Sequence, residues 1–247
     1  MLVTKKNLIL PLLLVFLLVN QCKPPDSATA LLHKSLEAHG GKALWEQVAT
    51  ISYTKTTTLY TETGAEEKTI QQQHQNQLSP FGATQIWPTP EGTYRADLAP
   101  NAFTLTLNDT PVDDATAIAA ALESIHSAFY VFWQPYKLLD TAAQLEYIGP
   151  KTLFNQREAL VLKVTYPNLD TTDVWHYFFD PNTYRLIATA VEHNGKISLI
   201  TNDAYETQTG LFLNRKRSSY FVDKDFNPHY RRASYDYKVE NISWRKD

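Results

Sequence analysis

The chain has one cysteine, one methionine and eight glycines among 247 residues. A lone cysteine cannot close an intramolecular disulfide, and it cannot build a paired-cysteine metal site. The few glycines form no phosphate-cradling loop, and no nucleophile elbow occurs. The apolar run from Leu8 to Val19 covers 12 residues. That falls short of the roughly 20 needed to span a bilayer core. Basic charge is also scarce. Setting aside Lys5 and Lys6, which precede that run, 23 basic residues become 21 against 26 acidic, a formal charge of −5. This balance gives no sign of nucleic-acid binding, which normally shows a basic patch and a high pI.

What is present begins with those two lysines and the short apolar run, the pattern of a secretory signal that is removed. Cys22 follows almost at once. Leu18-Val19-Asn20-Gln21-Cys22 resembles a bacterial lipobox, with Gln21 where lipoboxes carry a small residue. The resemblance implies that Cys22 is acylated, for example with palmitate, and becomes the new N-terminus. Cleavage to a soluble secreted form is the alternative. The expected organisation is a signal peptide over 1–21, a lipidated cysteine and tether over 22–28, and a single domain over 29–247. Pro24 and Pro25 favour an extended tether.

Leu31, Leu32, Ser35, Leu36 and His39 recur at helical spacing, which predicts a helix over 30–39 stopped by Gly40-Gly41. A second short helix, 42–48, carries Leu44, Trp45 and Val48. Strand patterns then run over 51–60 and 66–78, the latter glutamine-rich and read as solvent-faced. Phe103, Leu105 and Leu107 alternate with threonines as a half-buried strand. Asp113 or Asp114 caps a helix expected to end near Trp133, ahead of Pro135. Further strands are predicted over 159–166, 174–179, 184–193, 196–205, 211–222 and 229–239. Asp180-Pro181-Asn182-Thr183 and Asn194-Gly195 supply turns. The pattern is α+β and mainly antiparallel: one curved sheet over most of 50–240, with the helix near 114–133 against its concave face. A meander this long must curl or close to protect its edges.

Candidate chemistry is sparse, and no catalytic, metal or cofactor residue is assigned. His33 and His39 are six apart, the wrong spacing to share a helix face as ligands. Trp175-His176-Tyr177 offers an imidazole to a pocket, or a histidine packed within a sheet. Asp113-Asp114 and the pair Asp170, Asp173 offer carboxylates for acid–base work, or caps and solvated turns. Arg215-Lys216-Arg217 and Arg231-Arg232 offer an anionic-lipid patch, or a solvated face split by strand alternation.

His39-Gly40-Gly41 with Trp45, Tyr177-Phe178-Phe179 running into the Asp180–Thr183 turn, and the order of elements together resemble the LolA/LolB lipoprotein-carrier family. The resemblance implies a half-open antiparallel β-barrel with helices on its concave face and an apolar interior that accepts acyl chains. It implies an envelope lipoprotein that binds a lipid or other apolar ligand without enzymatic chemistry. The membrane is then a partner through the N-terminal lipid. Lys23, where inner-membrane retention uses aspartate, leans the assignment to the outer membrane. On this reading Ile118, Leu122, Ile125 and Phe129 line or cover the cavity from the helix. Trp175, Tyr177 and Phe179, or else Val174 and Phe178, line it from the sheet. An envelope hydrolase, a glycan-binding protein and a docking lipoprotein with a filled barrel are the alternatives.

Overall fold

The computed structural model describes residues 27–167, 173–193 and 195–246. Cys22, the signal and prolines before it and after it, Asp170 and Asn194 lie outside the described residues. Helix α1 (Ala28–Ala38) starts two residues earlier than expected. Ser27 caps it, its hydroxyl accepting from the Ala30 N–H at 3.1 Å. Helix α2 (Lys42–Gln47) follows. The chain then lays down β1 (Val48–Tyr60), β2 (Glu66–Leu78), β3 (Phe81–Thr89), β4 (Gly92–Ala99), β5 (Ala102–Leu107) and β6 (Thr110–Pro111). Helix α3 (Ala115–Phe132) crosses over. The chain returns through β7 (Gln144–Thr152), β8 (Glu158–Thr165), β9 (Val174–Phe179) and β10 (Leu186–His193). It ends with β11 (Lys196–Glu206), β12 (Leu213–Val222) and β13 (Pro228–Trp244).

All thirteen strands form one curved, open antiparallel sheet, ordered β6-β5-β4-β3-β2-β1-β13-β12-β11-β10-β9-β8-β7. The two halves of the chain are sewn together at the centre, where Ile51 pairs with Ile242 and Thr57 with Tyr235. Strands β6 and β7 are the free edges, and α3 carries the chain from one to the other.

Sequence alternation explains the N-terminal half. On β2, Gln71, Gln73, Gln75 and Gln77 are exposed, opposite Thr56, Thr54, Ser52 and Thr50 of β1. This outer face is wet, as expected of a solvent-faced strand. The inner face departs from that reading, because it buries His74 and Asn76. In the C-terminal half, β8–β10 are largely apolar on both faces. Leu160, Leu162, Tyr177 and Phe179 pack with Leu31 and Leu36 of α1. Val161, Phe178, Ala188 and Leu199 pack on the other side beneath Phe226 and Leu153.

Four strands escaped the sequence pattern: β3, β4, β7 and the two-residue β6. Pro88, Gly92, Gly149 and Pro150 interrupt the first three. Proline is tolerated in β7 because that strand is an edge. The strand expected from Tyr184 begins at Leu186, since Tyr184 takes φ +57° in the turn. That turn is built by Asp180, whose Oδ1 accepts from the N–H groups of Asn182 and Thr183 at 3.0 and 2.9 Å.

The His39-Gly40-Gly41 stretch is a clasp between helices and sheet. His39 Nδ1 donates to the Ser35 carbonyl at 2.7 Å, and its Nε2 accepts from the Leu186 N–H at 3.4 Å. Acceptance at Nε2 requires the neutral ring, with its proton on Nδ1. Burial lowers its pKa to about 4, offset in part by the Ser35 bond. The His39 carbonyl accepts from the Trp45 indole at 3.0 Å. Gly40 has φ +106°, and a Cβ there would lie 2.7 Å from the Gly210 carbonyl oxygen.

Candidate ligand-binding cleft

Helix α3 is apolar along its length but buries only Ala121, Ile125, Phe129 and Phe132 of its eighteen residues. Asp114 caps it, accepting from the Ala117 N–H at 2.7 Å, which is the capping role. Its first three turns, through Ile125, sit on β3–β5, with Ile125 and Ala121 against Ala83, Ala96 and Leu105. Its second half is aromatic and bridges the two halves of the sheet. There Phe132 stacks on Tyr53 with ring centroids 3.8 Å apart, and Phe129 meets Phe81 at 4.6 Å.

Between this second half, the β2–β3 turn and β9 lies a cleft of about 570 Å³. Phe81 and Leu78 form one wall, Phe129 and Trp133 the back, and Trp175 with Tyr166 the opposite wall. Tyr130 lies 5.2 Å from the Trp175 ring. Lys137 and Asp140 mark the rim and pair at 3.7 Å. The volume is in the usual range for a small-molecule site, as is the aromatic lining. Depressions of about 620 and 740 Å³ exist elsewhere, but charged and polar side chains such as Arg215, Asp236, Lys196 and Glu192 line them.

The cleft floor is polar and hydrogen-bonded. The Tyr130 hydroxyl meets those of Tyr166 at 2.8 Å and Tyr177 at 2.5 Å. Gln134 Nε2 donates to the Tyr177 hydroxyl at 3.1 Å. Burial pushes the Tyr130 and Tyr177 phenols well above their ordinary range, so both stay neutral. One donor in the wall is unused: the Trp133 indole N–H is buried and has no partner among the described residues.

The expected lining residues divide. Phe129 and Trp175 line the cleft. Ile118 and Ile125 pack into the cluster on β3–β5. Tyr177 and Phe179 are fully buried beside α1. Leu122 is half-buried on α3. On β9 the Trp175, Tyr177, Phe179 set faces the helices, whereas Phe178 faces the opposite side. Sequence reading missed Leu78, Phe81, Tyr130, Trp133 and Tyr166. The aromatic density of 129–133 was visible, but which rings stay unpacked is a tertiary property.

The other candidates are placed as follows. His176 sits edge-to-face on Phe226 at 5.4 Å, its pKa lowered first by burial. Asp173 pairs with His193 at 2.5 Å. Arg215 and Lys216 are exposed, but Arg217 is 2% exposed, which corrects the expectation of a solvated face. The register between β11 and β12 shifts here: Asn214 faces Tyr205 and Lys216 faces Ala204, leaving Arg215 over. This bulge resets the alternation and sends both Asn214 and Arg217 into the interior.

A model of the family DUF6503, described as a family of unknown function, matches residues 5–228. The chain belongs to this family. No curated protein matches the sequence. Among solved structures, a LolA superfamily protein from Nitrosomonas europaea is similar with TM-score 0.53 and 8% identity, covering 90% of this chain and 96% of that one. A domain named for outer-membrane lipoprotein sorting, from Vibrio parahaemolyticus, is similar with TM-score 0.50 and 11% identity, covering 87% and 92%. At these identities the likeness shows the fold: this DUF6503 member has the LolA-like half-open barrel with helices on its concave face.

Proposed function

We propose that this protein is an envelope lipoprotein that binds a lipid or another apolar ligand, without enzymatic chemistry, in the aromatic cleft beneath α3. The observation that carries this is the cleft itself. It is an apolar space of about 570 Å³ at the barrel mouth, closed by a helix that buries four of its eighteen residues. Three of those are large, and each contributes roughly 1.5–3 kcal/mol by burial. Burial of an acyl chain, at roughly 0.8 kcal/mol per CH2, would offset the cost of shifting such a helix. The named relatives are a LolA superfamily protein and a lipoprotein-sorting domain, which agrees with lipid or lipoprotein handling in a bacterial envelope. Acylation of Cys22 would anchor the domain to the membrane, with the outer membrane preferred because Lys23 follows the cysteine. Residues 1–21 would be the signal peptide, 22–28 the acylated cysteine and tether, and 29–247 one domain.

The burial of Ile125, Tyr177 and Phe179 favours a second reading, a filled barrel whose surface docks another protein. Native mass spectrometry of the full chain, released from membranes under mild conditions, separates the two. A retained adduct of acyl-lipid mass supports the cleft. A protein of bare acylated mass under every gentle condition supports the filled barrel.

A further inference from the structure

The interior of the sheet holds a charge without a counter-ion among the described residues. Arg217, on β12, is 2% exposed. Its Nη2 donates to Thr189 Oγ1 at 3.0 Å, and its Nε has no partner among the described residues. It joins none of the ion pairs among the described residues. A buried guanidinium that lacks a carboxylate is costly, because its lost hydration is not repaid. Strand β12 bulges at Arg215, and that bulge is what turns Arg217 inward.

The charge lies beside the cleft floor. Thr189, which holds the guanidinium, is the strand partner of Tyr177. The Tyr177 hydroxyl is bonded to Tyr130 and Gln134, and Tyr130 lines the cleft. Two further groups here are acceptors without a partner among the described residues: Oε1 of Gln134 and Oδ1 of Asn202, the latter on the strand partner of Arg217. Arg217 also offsets part of the burial effect on the Tyr177 and Tyr235 phenols, so its field reaches both. The interior therefore presents one cation and two hydrogen-bond acceptors, next to an apolar cleft.

Accordingly, we infer that Arg217 is the receptor for the acidic headgroup of an acyl ligand whose chain occupies the aromatic cleft. This rests on the proposed lipid-binding function of that cleft. A carboxylate or phosphate would accept the free guanidinium N–H groups as charge-assisted bonds. A hydroxyl on the same headgroup would donate to Gln134 or Asn202. A phosphate ester of glycerol meets both demands, and a bare fatty acid meets only the first. Entry requires the second half of α3, with Tyr130, to move away from Tyr177.

The test compares three probes of equal chain on wild type and Arg217→Met: oleate, oleoyl lysophosphatidic acid and oleyl alcohol. Each is scored by displacement of a fluorescent fatty-acid analogue and by the shift in melting temperature. Wild type is expected to prefer the acidic probes over the alcohol by tenfold or more, with lysophosphatidic acid ahead of oleate. Arg217→Met is expected to bind all three alike. It is also expected to fold with an unchanged or higher melting temperature without ligand, because an apolar side chain replaces an unpaired buried ion. Arg217→Lys should keep part of the preference. If wild type binds all three equally, or the preference survives in Arg217→Met, the headgroup assignment is overturned while the cleft stands. If none of the probes binds wild type, the cleft reading itself fails and takes this assignment with it. If Arg217→Met is unfolded, the preference of wild type over the alcohol, and its retention in Arg217→Lys, decide alone.

Discussion

The Tyr130 hydroxyl on α3 and the Tyr177 hydroxyl on β9 meet at 2.5 Å, which ties the helix to the inner face of the sheet. Tyr130 also reaches Tyr166 at 2.8 Å, so removing one oxygen breaks two links. Tyr130→Phe keeps the ring packing and is expected to cost about 1–3 kcal/mol, at roughly 0.5–1.5 kcal/mol per hydrogen bond. The sharper readout is local. Amide exchange across the second half of α3 should speed up, while the strands β8–β10 keep their protection. Uniform acceleration over the whole sheet would show that these hydroxyls do not specifically hold the helix.

Gly40 is expected to tolerate no side chain. Its φ of +106° and the 2.7 Å approach of a Cβ to the Gly210 carbonyl act together. Gly40→Ala should lower stability by more than about 2 kcal/mol, combining backbone strain with a forced shift of the 210 turn. Chemical denaturation measures this. A loss under about 0.5 kcal/mol, the size of an ordinary surface substitution, would mean that the two glycine turns separate freely.

Stability is expected to fall on acidification from about pH 6.5 toward pH 4. His39 and His74 are buried and neutral, with pKa values lowered to about 4 and about 3, in both cases chiefly by burial. The unfolded chain binds protons at these two sites below its ordinary histidine pKa, and the folded chain does not. Unfolding therefore takes up protons and is favoured as pH drops through that window. The His39 contribution is on the order of 3 kcal/mol by pH 4, because each tenfold loss of proton affinity on folding corresponds to about 1.4 kcal/mol. His39→Gln should flatten that part of the profile. A profile that stays as steep as wild type would assign the acid sensitivity elsewhere.

Anchoring can be checked independently of the fold. Cys22→Ser is expected to abolish acylation and move the protein from the membrane to the soluble envelope fraction, because stable attachment needs acyl chains. A serine variant that stays wholly membrane-bound, processed and unacylated, would refute the anchor.

The sheet from β8 to β13 was legible because apolar positions alternate and turns such as Asp180–Thr183 carry their own chemistry. The strands with Gly82, Pro88, Gly149 and Pro150 were not, since each such residue erases a position of the pattern. Helix α3 was read with nearly correct ends from Asp114 and Pro135. Its role as one wall of a cleft was only half visible: Phe129 and Trp175 were named, but Phe81 opens β3, a strand with no clear periodic signal. Arg217 was hidden for a different reason. A bulge at Arg215 changes which face a side chain takes, and alternation assumes there is none. His39-Gly40-Gly41 and the 180–183 turn carried the family resemblance, and both are held by intramolecular hydrogen bonds.

The central claim is that the space under α3 binds an apolar chain, and one comparison tests it most directly. Trp175 lines the cleft, and Phe179 is fully buried on the same face of the same strand. Affinity for a fluorescent fatty-acid analogue and melting temperature are measured on wild type, Trp175→Ala and Phe179→Ala. Trp175→Ala is expected to lose most of the binding with little change in melting temperature. Phe179→Ala should destabilise by roughly 3–5 kcal/mol while its folded fraction still binds. No binding by wild type, or full binding by Trp175→Ala, would contradict the account.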